Sequence, residues 1–179
     1  MAGPTYNTKA GQGKVTFEVD PITLRAMLKT IGKLDKDVQN EIRDNSQKLS
    51  LGLKDDLTRA AMTSPTPVAK RLIPTIATPR DRLPTVKIGG SKKVGKPYKD
   101  RATGKTVKAS AGALLWGSEH GGFSGFPDRS GRQMGNRFKA PRNEGGYWIY
   151  PTVDQWGTYL FMKWSEMVDD ILRREGIRG

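Results

Sequence analysis

Apolar positions recur at intervals of three and four in two parts of this chain. From Leu24 they run through Leu28, Ile31, Val38, Ile42, Leu49 and Leu53, the spacing of one helix face. Asp20-Pro21 stands at the start of this run. Asp suits the N-cap, and Pro suits the first helical position, where its missing N–H costs nothing. The pattern predicts a long amphipathic helix to about Met62, bent near Gly32 and ended by Ser64-Pro65-Thr66-Pro67. The second run is Val153, Trp156, Leu160, Trp164, Met167 and Ile171. It follows an aromatic stretch, Tyr147-Trp148-Ile149-Tyr150, that breaks at Pro151. Thr152 and Gln155 stand in capping-box spacing, while Arg173, Arg174 and Gly176 mark a helix end. Three of the four Trp residues lie in this segment, which makes it the hydrophobic anchor of the fold.

Between and around these runs the pattern weakens. Met1 to Gly13 reads as a flexible tail, and Lys14 to Val19 alternates as a half-buried strand. Leu72-Ile73 and Thr75-Ile76 suggest a short strand, confined to an edge by Pro74. Thr85 to Ile88 is a better strand, closed by Gly89-Gly90. Ser91 to Lys108 reads as a mobile hairpin or a long loop, and Ala109 to Trp116 as a short helix or turn. Gly117 to Gly122 reads as a breaker, and Phe123 to Gly146 as a second long loop. The expectation is one α+β domain over residues 14–176. Its N-terminal and C-terminal helices pack on a small, mostly antiparallel sheet, with two long basic loops at 91–108 and 122–146. The stripe Val153, Trp156, Leu160 and Trp164 should be buried against Leu24, Leu28, Val38 and Ile42, or against the sheet.

Composition sharpens this picture. Apolar residues make up 35% of the chain with glycine counted separately, so a modest core is expected, with part of the chain outside it. Cysteine is absent, which excludes disulfides and thiolate metal sites. No apolar run is as long as a membrane span, and the N-terminus is too polar for a signal peptide; a soluble protein made in a cytoplasm is expected. The net charge is +13, and between Arg80 and Arg142 fifteen Lys and Arg face four acids, which places +11 of it there. Such a stretch points to loops meeting a polyanion or an acidic protein surface. A solvated loop region that aids solubility is the plainer alternative. Candidate chemistry is thin. His120 is the sole histidine. Gly104-Lys105-Thr106 resembles the end of a phosphate-binding loop but has Lys99 where a glycine is needed. Glu119 and Asp128 read as ion-pair partners, and Trp148, Trp156 and Trp164 as core. No catalytic, cofactor or metal site is expected.

The order of elements resembles the small neck proteins of long-tailed bacteriophages, the head–tail connector, tail-completion or minor tail proteins. Leu115-Trp116-Gly117-Ser118 is similar to that family's aromatic-Gly-Ser turn, and Trp148-Ile149-Tyr150-Pro151 to its apolar-Pro approach to the last helix. The Asp20 to Met62 run matches its charged first helix. Two departures stand out. Thr66 to Leu72 lacks the family's Thr-Gly-x-Leu glycine, and both basic loops are longer than its usual connections. The resemblance implies a structural virion protein without enzymatic activity, located in the neck of the particle and in host cytoplasm during assembly. It would form a homo-oligomeric ring beside connector, tail-terminator or tail-tube proteins, with double-stranded DNA held non-specifically in the lumen and no membrane contact. On that reading Phe123, Phe126, Phe138 and Trp116 are assembly anchors, while Lys92, Lys93, Arg129, Arg132 and Arg137 face DNA or an acidic partner. The alternative is a basic nucleic-acid-binding protein acting alone.

Overall fold

The structure is a computed structural model. It describes residues 28–100, 102–122, 138 and 140–176, and the backbone of 5–9 and 12–16. The fold is α+β. In chain order it contains β1 (Thr5–Lys9), β2 (Gln12–Thr16), α1 (Lys36–Thr63), α2 (Ala69–Leu72), a 3-10 turn (Ile73–Thr75), β3 (Lys93–Lys99), β4 (Thr106–Ser110), α3 (Ala111–His120) and α4 (Ile149–Arg174). β1 pairs with β2 and β3 with β4, both antiparallel, as two separate ribbons. Strand pairing thus begins at Thr5, inside the segment expected to be a tail.

The two long helices pack on each other. They run antiparallel: Trp156 Nε1 donates to Asp56 Oδ2 at 2.8 Å near one end, and Arg174 pairs with Glu41 at the other. The Trp156 ring lies directly over Gly52, where an added Cβ would stand 2.5 Å from it. Glycine in mid-helix weakens a helix, and here the close crossing of an indole ring explains its use. Val153 and Leu160 are buried with Leu53, Leu57, Leu72, Val86, Leu114 and Trp148. Trp164 instead joins Ile31, Ile42, Val168 and Ile171, with Leu28 and Val38 at the margin. The expected stripe is therefore split between two clusters, with Trp156 half-buried; Leu24 lies outside the described residues.

Residues 76–88 form an extended strap along α1, closed on itself by the Ala77–Lys87 bridge. Polar side chains on the apolar stripe of α1 hold it. Ser46 Oγ donates to the Arg82 carbonyl at 3.0 Å, Gln47 Nε2 to the Thr78 carbonyl at 2.7 Å, and Ser50 Oγ accepts from Thr85 N at 2.9 Å. Trp164 Nε1 donates to the same Arg82 carbonyl at 2.8 Å. Ser46 and Ser50 are thus fully buried yet hydrogen-bonded, as buried hydroxyls need to be.

Three local expectations change. The first helix does not bend at Gly32 but breaks: residues 28–31 are helical, a turn follows, and α1 starts at Lys36. Leu72 to Thr75 is helical, not a strand, and Ile76 is the extended residue that follows. The buried positions Val68, Ala69 and Leu72 show why, since Leu72 follows the first two at four and three residues. The last helix begins at Ile149, ahead of Pro151. Pro there removes an N–H that the first turn could not have used.

Candidate functional site

The β3–β4 ribbon, with its turn, carries a cluster of lysines, Lys93, Lys96, Lys99, Lys105 and Lys108. Its register pairs Lys93 with Ser110, Pro97 with Lys108, Tyr98 with Val107 and Lys99 with Thr106, with an irregularity between Lys93 and Pro97. Gly95 is buried at the base, where a Cβ would meet Ala109 at 2.8 Å. Beyond it every β3 residue from Lys96 to Lys99 is exposed. The base is anchored and the distal half stands in solvent. Asp100 orders the tip: its backbone N–H donates to the Lys105 carbonyl at 2.9 Å, its carbonyl accepts from Gly104 N at 2.8 Å, and its carboxylate accepts from Ala102 N and Thr103 Oγ1. Gly104 takes φ +67° in this turn, a conformation open to glycine. The ribbon expected either as a mobile hairpin or as a loop is a hairpin with a built turn. Lys93, Lys96, Lys99, Lys105 and Lys108 are exposed, and none makes an ion pair among the described residues. Facing pairs share one side of an antiparallel ribbon. Lys99 and Lys108 therefore share one face, with Tyr98 and Val107 on the other.

A second polar centre lies where α3 meets α4. α3 starts at Ser110, whose Oγ accepts from Ala113 N at 3.3 Å, and ends at Gly121 with φ +70°. It runs through the segment expected to be a breaker. Gly117 is there because the Phe138 ring occupies the space a side chain would need. The last turn presents Glu119, which has no exposed surface. Its carboxylate accepts from Trp148 N at 3.2 Å, Ile149 N at 2.8 Å and Tyr150 N at 2.8 Å. Those N–H groups open α4, and the next residue, Pro151, has none. A carboxylate from 29 residues upstream of Trp148 thus satisfies the whole helix start. Thr152, expected to cap it, instead donates its hydroxyl to the Trp148 carbonyl at 2.6 Å. Burial pushes the Glu119 carboxyl above its ordinary value, against the pull of the three N–H groups and His120. Gly146, at φ +76°, leaves the room that Glu119 fills. His120 Nδ1 lies 2.8 Å from the Asn143 carbonyl, and its ring packs against Trp116 and Tyr150 at 5.1 and 5.9 Å. Glu119 is therefore a helix cap, not the ion-pair partner expected for it.

The remaining expected site residues fall in different places. Phe138 is 4% exposed and belongs to the core against Gly117, so it is not a free assembly anchor. Trp116 is 45% exposed and keeps a surface role open. Lys93 is exposed on the ribbon, whereas Lys92 reaches back to the Pro74 carbonyl at 3.3 Å. Phe123, Phe126, Arg129, Arg132 and Arg137 lie outside the described residues. Lys96, Lys99, Lys105 and Lys108 were not singled out from sequence. The Asp100 to Gly104 turn flanked by Tyr98 and Val107 was the signal that would have placed them on a hairpin. Tyr159 and Met162 form a further exposed apolar pair on α4. Among the described residues no group of three His, Asp or Glu could hold a metal ion, and no helix is long and apolar enough to cross a membrane. Comparison of the chain with protein-family models, curated proteins and solved structures finds no match.

Proposed function

We propose that this protein is a non-enzymatic structural virion protein of a tailed phage, a ring subunit at the head–tail joint through which DNA passes. The observation that carries this reading is the lysine ribbon, ordered at base and tip and without ion pairs among the described residues. A ring built by repeated head-to-tail contacts can aim such an arm from every subunit at a common lumen. The exposed Trp116, Tyr159 and Met162 supply apolar area for contacts with a second copy or with connector, tail-terminator or tail-tube proteins. In this reading the protein acts in the particle's neck after assembly in host cytoplasm.

The same ribbon also suits a nucleic-acid-binding protein that works alone, so the test is assembly. Limited proteolysis of the free subunit and of purified particles is expected to cut near residues 100–105 and 123–137 when free and to spare both in particles. Changing Phe123 and Phe126 together to Ser is expected to leave heads and tails unjoined while the subunit stays folded. Equal cleavage in both states would mean that these segments contact nothing in the particle and serve solubility alone, and absence of the protein from particles would favour the stand-alone binder.

A further inference from the structure

The lysine ribbon carries a sharper statement about its partner, resting on the reading above. We propose that β3–β4 is a nucleic-acid-binding arm that grips duplex DNA by its phosphates without reading sequence. Three observations point to phosphate rather than to protein.

The first is the residue type. Five of the exposed side chains on this ribbon and its turn are lysines: Lys93, Lys96, Lys99, Lys105 and Lys108. Lysine is depleted in protein–protein interfaces, whose centres select aromatics, Met and Arg. As a flexible point charge it suits phosphate contacts that tolerate any sequence. The second is the shape. A two-stranded ribbon is one of the elements that the major groove of a duplex admits, and the exposed half from Lys96 outward leaves the ribbon free to enter it. Lys96 and Lys99, three residues apart on β3, stand about 10 Å apart along the strand, so the charges are spread along the ribbon rather than converging on one point. The third is order. The Asp100 turn and the closely packed Gly95–Ala109 base fix the ribbon before any partner arrives, which lowers the entropy lost on binding. Tyr98, 46% exposed on the face away from Lys99 and Lys108, adds a ring that can lie on sugar or base without selecting one.

The test uses the full chain and two unrelated duplexes of equal length, with binding followed by fluorescence anisotropy across a salt series. The free subunit is expected to bind both equally, in the range of about 10⁻⁴–10⁻⁶ M for non-specific contacts at physiological salt. Lys96, Lys99, Lys105 and Lys108 changed together to Ala should lower the slope of log K against log salt by about 3–4, at close to 0.9 per phosphate contact. The same four positions changed to Arg should restore it. Wild-type lysines on the ribbon should also be shielded from acetylation by duplex DNA, a readout that needs no variant. An unchanged salt slope, strong preference for one duplex, or binding to polyglutamate but not to DNA would overturn the proposal. Joining of heads and tails is scored separately. A quadruple Ala variant that has lost DNA binding but still enters particles supports the arm and leaves the ring reading intact. DNA binding by the ribbon in a protein absent from particles would keep the arm and remove the ring.

Discussion

Glu119 and the lysine ribbon lie in the same basic, glycine-rich third of the chain, and the structure treats their charges in opposite ways. Glu119 is fully buried with three N–H donors on its carboxylate. The ribbon lysines are exposed and, among the described residues, without ion pairs. A buried charge is tolerated only where donors replace its water, so Glu119 serves the fold. An exposed charge needs no partner to be stable, so its clustering is free to serve an outside one. The lesson is that burial and partners, not charge itself, separate structural from functional ionisable groups.

The comparison can be broken most strongly from the core side. Trp164 is 1% exposed and donates to the Arg82 carbonyl that also takes Ser46. Trp164→Ala is expected to lose about 3–5 kcal/mol in urea unfolding. Trp156→Ala should lose less, since its ring is only half-buried over Gly52. If Trp164→Ala unfolds at the wild-type midpoint, the pairing of the two long helices is wrong.

Next comes the cap. Glu119→Ala leaves buried N–H donors at the start of α4 without an acceptor, at about 1–3 kcal/mol for each such group. The expected loss is on the order of 3 kcal/mol, with Glu119→Gln intermediate. Hydrogen exchange should show the first turn of α4 opening before the rest of the helix. Uniform exchange along α4 would remove Glu119 from the capping role.

Acid titration gives a smaller effect with a definite sign. Because burial raises the Glu119 carboxyl above its unfolded value, the folded state holds the extra proton between the two. Stability from this group is therefore full below the unfolded value and falls as pH rises through the folded one. Asp44 and Asp56 act the other way: side-chain hydrogen bonds from Arg80 and from Arg59, respectively, hold them below their ordinary value. The measurement is thus the advantage of wild type over Glu119→Gln, which should grow toward acid pH. A difference independent of pH would mean that the carboxyl is not shifted. The smallest stability effect belongs to the ribbon. Its four distal lysines changed to Ala should leave the urea midpoint in place while the salt slope for DNA drops. A clear fall in midpoint would turn the lysines into structural residues.

Periodicity alone was enough for the last helix, for the first from Lys36 to its end near Ser64 and for the stop at Gly176, where φ is +70°. Those features depend on residues close in sequence, and helix amphipathicity is a local code. Charge clustering was equally plain, because it requires only counting. What the tertiary structure decided involves partners far along the chain. Pro151 looked like a boundary because the acceptor for the preceding N–H groups, Glu119, stands about thirty residues away, and no spacing rule links the two. Gly117 looked like a breaker because the ring that demands a glycine comes from Phe138. Phe138 looked like a free anchor for the same reason seen from the other side. The sequence by itself determined the two long amphipathic segments and where the positive charge lies. Only tertiary structure decided which buried groups satisfy one another and which charges remain unpaired, because hydrogen bonding and packing act across distance in space while a sequence pattern reports neighbours along the chain.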